Sequence, residues 1–84
     1  MMPDRRLGYE EDVRKAAGEP SLTGREREVL TLIASGKSTK EIATILGMAL
    51  PTAVTHRYHL QQKLDARNTA ELTRAAVRLG LINL

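Results

Sequence analysis

Apolar residues recur at helical spacing in four successive runs along this chain of 84 residues. Val29, Leu30, Leu32 and Ile33 share the inward face of a first run, Gly24 to Ser35. Ile42, Ala43, Ile45 and Leu46 mark a shorter second one. The third begins near Pro51 and keeps Ala53, Leu60 and Leu64 on a single stripe. Leu72, Ala75, Ala76, Val77 and Leu79 belong to the fourth. The pattern predicts four helices between Thr23 and Leu79 and an all-α fold.

Polar residues punctuate the runs where helices should begin and end. Thr23 with Glu26, Ser38 with Glu41, and Asn68 with Glu71 each have the spacing of a capping box, which satisfies free amides at a helix start. Gly36, Gly47 and Gly80 follow the first, second and fourth runs, placed to end them in the left-handed conformation. The second and third helices, over residues 38–64, meet at a tight break, Gly47-Met48-Ala49. That is the pattern of a helix-turn-helix, whose second helix is presented to a nucleic-acid groove. After Gly80 the apolar tail Leu81-Ile82-Asn83-Leu84 is expected to fold back on the core.

Residues 1–20 stand apart. Tyr9 to Ala17 has acids early and Arg14 and Lys15 late, as the helix dipole prefers, and Gly18 and Pro20 then stop it. Too few of its residues are apolar to make a core. The segment reads as a tail or a short accessory helix, leaving 21–84 as the domain.

Composition narrows the picture. A hydrophobic share of 42% supports one small core, built from Leu, Ile, Val and Ala; Phe and Trp are absent, and the aromatics are Tyr9 and Tyr58. Small aliphatics suit short, closely packed helices better than a sheet. With no cysteine, neither a disulfide nor a thiolate metal site can staple the fold, in keeping with a reducing cytoplasm. No apolar run reaches the length of a membrane span and no signal peptide is visible, so a cytoplasmic protein is expected. The net charge of +3 is uneven: residues 1–20 carry four basic and five acidic side chains, residues 21–84 nine and five. The positive excess therefore accompanies the helix-turn-helix and is a weak pointer to an anionic partner.

On the third helix, Pro51, Val54, Thr55, Tyr58 and Gln62 fall opposite the core stripe, one to two turns apart, where a groove could be touched. Val54 and Pro51 offer no hydrogen-bond donor; Val54 suits a thymine methyl and Thr55 a hydroxyl contact. Tyr58 rests its ring either on a sugar-phosphate backbone or on Val54. Lys40, Thr52, Arg57, Lys63 and Arg67 line or flank the two helices and as a group favour a grip on phosphates. The fourth helix carries more apolar surface than one neighbour can cover, which assigns Ala70, Thr73 and Val77 to a dimer face.

The segments LTGREREVLTLIASGKSTKEIATIL, TAVTHRYHLQQKL and AEL resemble the DNA-binding domain of LuxR-type transcription regulators over Leu22 to about Ile82. The resemblance implies a third helix lying in the major groove of double-stranded DNA and a fourth, 68–79, pairing with its twin in a homodimer. It places base-reading side chains, often Lys or Asn in relatives, at the positions of Pro51, Val54 and Thr55. It also aligns His56 with the family histidine, which packs at the helix crossing or donates to a phosphate. The chain departs from the family at Ala49, where a Ser or Thr usually caps this helix, and at Pro51 and Val54, which offer no hydrogen-bond donor. Larger relatives carry a receiver or ligand-binding domain upstream; the short stretch before the match suggests a stand-alone member or an excised domain.

Nothing resembles an enzyme: no nucleophile–base arrangement, no phosphate-binding glycine loop and no paired carboxylates in an apolar setting. His56 and His59 lie three apart, but with no cysteine and only Asp65 close by they make a poor metal pair. No cofactor and no small-molecule ligand is expected. The rival reading is a protein-interaction or dimerisation module that has lost base readout and modulates a related regulator.

Overall fold

Where the helices begin is decided by which side chains can take up the amides that a first turn leaves unpaired. A computed structural model of the chain describes residues 21–83, which form four α-helices and no strand. They are α1 (Gly24–Ala34), α2 (Thr39–Leu46), α3 (Leu50–Leu64) and α4 (Thr69–Arg78). The reading of residues 1–20 as a tail or accessory helix, and Leu84, lie outside the described residues.

At α1 the Glu26 amide donates to Thr23 Oγ1 at 3.1 Å and the Thr23 amide donates to Glu26 Oε1 at 2.9 Å. At α2 Ser38 and Glu41 repeat this exchange at 3.1 and 2.8 Å. Both predicted capping boxes are therefore complete. The third is only half made. Asn68 Oδ1 accepts from the Glu71 amide at 2.9 Å, but Glu71 Oε1 accepts from the Arg67 amide at 2.7 Å instead of from Asn68. The backbone explains the difference: φ is −71° and −73° at the first two caps and −155° at Asn68. With φ turned to −155° the cap's own amide swings away and the preceding one comes beneath the carboxylate. At α3 the cap is Ala49, which makes no side-chain bond; Pro51 in the first turn removes one amide that would otherwise need a partner.

All four helices end at a residue in the left-handed conformation: Gly36 (φ +92°) and Gly80 (φ +77°) follow α1 and α4, as expected of them, and the other two ends differ from each other. Gly47, at φ +67°, closes α2 and returns the Met48 amide to the Ala43 carbonyl at 2.9 Å. Asp65 closes α3 at φ +51° without being glycine, a position that a short polar side chain tolerates better than most.

The core sits where α1 meets the other three helices. Leu30, Leu60, Leu72 and Ala76 have no exposed surface, and Val29, Ile33 and Ile42 close around them. α1 packs most extensively on α4, and α2 on α3, so the helix-turn-helix pair rests on the α1–α4 pair. Ala43 on α2 and Ala53 on α3 are both buried, which suits the close packing of these two helices. Leu81 and Ile82 pack against this core, as expected of the tail, and the Leu81 amide bonds the Ala76 carbonyl at 2.9 Å. Two apolar expectations change. Ile45 is 53% exposed, because Ile42, Ala43 and Leu46 already fill the side of α2 that packs on α3 and α1. Leu32 is only partly buried. No helix among the described residues is long and apolar enough to cross a membrane.

The one buried charged residue among those described is Glu26, 5% exposed. Besides closing its capping box, its Oε1 accepts from Lys63 Nζ at 2.8 Å, thirty-seven positions along the chain. Lys63 also donates to the Ser21 carbonyl at 3.3 Å. Burial by itself would raise the Glu26 pKa, but the bonds from Lys63 and from the Thr23 amide outweigh it and hold the carboxyl below its ordinary value.

These contacts set three expectations. Thr23→Ala and Ser38→Ala should each lose about 0.5–2 kcal/mol in denaturant melts, whereas Ala49→Ser should gain about 0.5–1 kcal/mol by adding a missing cap. Lys63→Met leaves a buried carboxylate short of its partner and should cost about 1–3 kcal/mol at neutral pH. Because the folded pKa of Glu26 is depressed, its contribution is present above the ordinary carboxylate range and is lost as pH falls through the folded value. Melts of parent and Lys63→Met should therefore converge in acid.

Candidate nucleic-acid interface

α3 has fifteen residues, LPTAVTHRYHLQQKL, and none of them is acidic. At the helical rise it spans about 22 Å, enough to lie along a major groove. One face buries Ala53 and Leu60. The opposite face turns Pro51, Thr55 and Gln62 to solvent, with Val54 51% and Tyr58 57% exposed. The four base-contact candidates, Pro51, Val54, Thr55 and Tyr58, thus share an open surface of one helix. Leu50 joins them at 45% exposure, a residue that the sequence reading, with the helix taken as about 50–64, did not assign to this face.

The polar chemistry of this face is sparse. The Thr55 hydroxyl donates to the Pro51 carbonyl at 3.0 Å, back along the helix. A hydroxyl has one proton to give, so what Thr55 turns outward is a methyl and a lone pair. The Tyr58 ring lies 6.1 Å from that of His59, tilted by 56°. His59 is exposed and His56 half-buried toward the body of the domain. No group of three or more potential metal ligands occurs among the described residues.

The cations around α3 are held differently from one another. Lys40 is exposed in the first turn of α2, beside a shallow groove of about 310 Å³ that Lys37, Glu41, Thr44 and Ile45 also line. Bonds from the Ser38 amide and hydroxyl keep the Glu41 carboxyl below its ordinary pKa, so a fixed negative charge sits beside Lys40. Arg57 Nη2 donates to Thr69 Oγ1 at 2.7 Å, which aims the guanidinium along the corner between α3 and α4 and leaves its other donors available. Thr52 and Arg67 are exposed near the two ends of α3. Lys63 differs: its ammonium is engaged by Glu26 and Ser21 on the side facing α1, although the side chain keeps 39% of its surface. Sequence reasoning could name Lys63 and Glu26 separately, but no local spacing joins positions so far apart.

On α4, Ala70 is exposed and Thr73 and Val77 are half-buried, all turned away from the Leu72, Ala75 and Ala76 side that faces the core. The Thr73 hydroxyl donates to the Thr69 carbonyl at 2.9 Å, so the polar atom of this stripe is already satisfied.

Comparison with known proteins agrees with this geometry. The solved transcription factor GerE superposes with a TM-score of 0.66 at 34% identity, covering 74% of this chain and 92% of that one. The VqmA dimer of Vibrio cholerae, described among LuxR-type receptors, matches with a TM-score of 0.69 at 32% identity over 79% of this chain and 30% of that one. The transcriptional regulatory protein MctR of Rhizobium johnstonii is 46% identical over 70 residues, which is 83% of this chain and 33% of that protein. The chain spans less than half the length of the curated relatives it matches. The model of bacterial regulatory proteins of the luxR family matches residues 20–76, and the chain belongs to that family.

Proposed function

We propose that this protein binds double-stranded DNA sequence-specifically and regulates transcription inside the cell, with α3 in the major groove. The observation that carries the reading is a fifteen-residue helix without a single acid, buried along Ala53 and Leu60 and open along Pro51, Val54, Thr55 and Tyr58. Its relatives are described as a transcription factor and a transcriptional regulatory protein, which supports the same conclusion. Lys40, Arg57 and Arg67, aided by Thr52 and His56, supply the grip on phosphates. Lys63 contributes only at the expense of its bond to Glu26, so it acts chiefly by fixing α3. Two copies pair through Ala70, Thr73 and Val77, as the description of VqmA as a dimer makes reasonable. The domain positions DNA and performs no catalysis.

The test is a mobility shift against random duplexes, followed by titration in salt. With three cations per protomer, a dimer neutralises about six phosphates, and log affinity should fall against log salt with a slope of about −5. Lys40→Ala should weaken binding to every sequence alike and flatten that slope by about 2. Lys63→Met should leave the slope unchanged while lowering the melting temperature. If no duplex binds even at low salt, the domain is an interaction module instead.

Dimer pairing has its own check. Val77 is half-buried on the side of α4 away from the core, so Val77→Glu should change the melting curve little. It should abolish the advantage of paired half-sites over a single one; paired-site affinity equal to the parent's would remove Val77 from the interface.

A further inference from the structure

The outward surface of α3 is unusual for a helix offered to base edges, because it is largely apolar. Leu50, Val54 and Tyr58 are 45%, 51% and 57% exposed, and they are three of the four large hydrophobic residues that the described chain leaves open. They are spaced four apart, so they form one continuous ridge along the helix. Pro51 beside them has no amide proton. Thr55, on the same open surface, has spent its only proton on the Pro51 carbonyl at 3.0 Å. Of these five residues only the Tyr58 hydroxyl retains a donor; the Gln62 amide, also on the open face, lies two turns beyond Val54 and more than three beyond Leu50.

Such a ridge discriminates among bases by what it cannot satisfy. Guanine turns two acceptors into the major groove and cytosine an amino donor. Pressed against Leu50, Val54 and the Thr55 methyl, those groups lose water and gain no partner, which is costly. A 5-methyl group on a pyrimidine is the one major-groove feature whose removal from water is favourable. Resting on the DNA-binding reading above, we infer that α3 selects its site through 5-methylpyrimidine groups, with Leu50 and Val54 as the residues that contact them and Thr55 supporting through its own methyl. Thymine is the natural carrier of that group, and 5-methylcytosine presents the same one.

The experiment starts from duplexes selected from a random pool with the parent protein. Each thymine in the recovered site is then replaced singly by uracil, which removes the methyl and keeps the pairing. At one or two positions per half-site the dissociation constant should rise about fourfold, from the transfer free energy of one buried carbon. The rise should be about 15-fold when both half-sites are changed. Val54→Ala, checked by a melt to be folded, should bring the thymine-to-uracil ratio at its own position close to one and leave other positions unaltered; Leu50→Ala should do the same at a neighbouring one. Binding that is indifferent to uracil at every position would overturn the inference while leaving DNA binding intact. A uracil effect that survives both variants would overturn it too, because duplex shape would then be read instead of the methyl. Failure to bind any duplex would remove the underlying reading together with the inference.

Discussion

The position of the exposed helix depends on a single carboxylate oxygen. Glu26 Oε1 accepts both the amide that starts α1 and the ammonium of Lys63 in the last turn of α3. A surface ion pair contributes little, since water serves both partners nearly as well. This one is different because Glu26 is almost wholly desolvated and its two donors replace the water it has given up. The lysine reaches over a partly exposed path, so its own desolvation is small. One buried acceptor therefore joins two tasks, starting the central helix and fixing the far end of the helix that the domain presents.

The near end is held in another manner. Ala49 gives α3 no side-chain cap, and the helix there relies on Pro51, on the bonds of the Thr52 and Ala53 amides to the Ala49 carbonyl, and on the buried Ala53 beneath it. α3 is thus anchored firmly at its C-terminal turn and more lightly at its entrance. Apolar side chains occur on both sides of it, inward at Ala53 and Leu60 and outward at Leu50 and Val54. The inward set is indispensable to the core, and the outward set touches none of it. The open surface of α3 can accordingly vary without altering what folds the domain.

The architecture was largely written in local spacing. Four helices, two full capping boxes and the ending of α2 at Gly47 follow from residues at most four apart, and these are the interactions that periodicity and capping rules describe. The failures share one cause, dependence on partners that spacing does not reveal. The Asn68 box is incomplete because φ there is −155° against −71° and −73° at the other two caps, and Ile45 is exposed because Ile42, Ala43 and Leu46 already fill the contacts of α2 with α3 and α1. The role of Lys63 stayed hidden because Glu26, already accounted for as a cap, lies across the fold. For the site, the open face of α3 was legible as a face opposite Ala53, Leu60 and Leu64. What that face offers was less so, since the back-bonded Thr55 hydroxyl and the exposure of Leu50 emerge only with coordinates.

The scarcity of aromatic residues has an optical consequence. Phe and Trp are absent from the chain, and Tyr58 is the one aromatic ring of Phe, Tyr or Trp type among the described residues. It stands more than half exposed on the outer face of α3, far from the aliphatic interior. The described core is therefore silent in the near ultraviolet, and loss of its packing leaves hardly any mark on the emission of Tyr58. Docking of α3 in a major groove, as proposed, would alter the surroundings of that same ring and with them its emission. The one such chromophore among the described residues thus stands on the open face of α3, and the interior is dark.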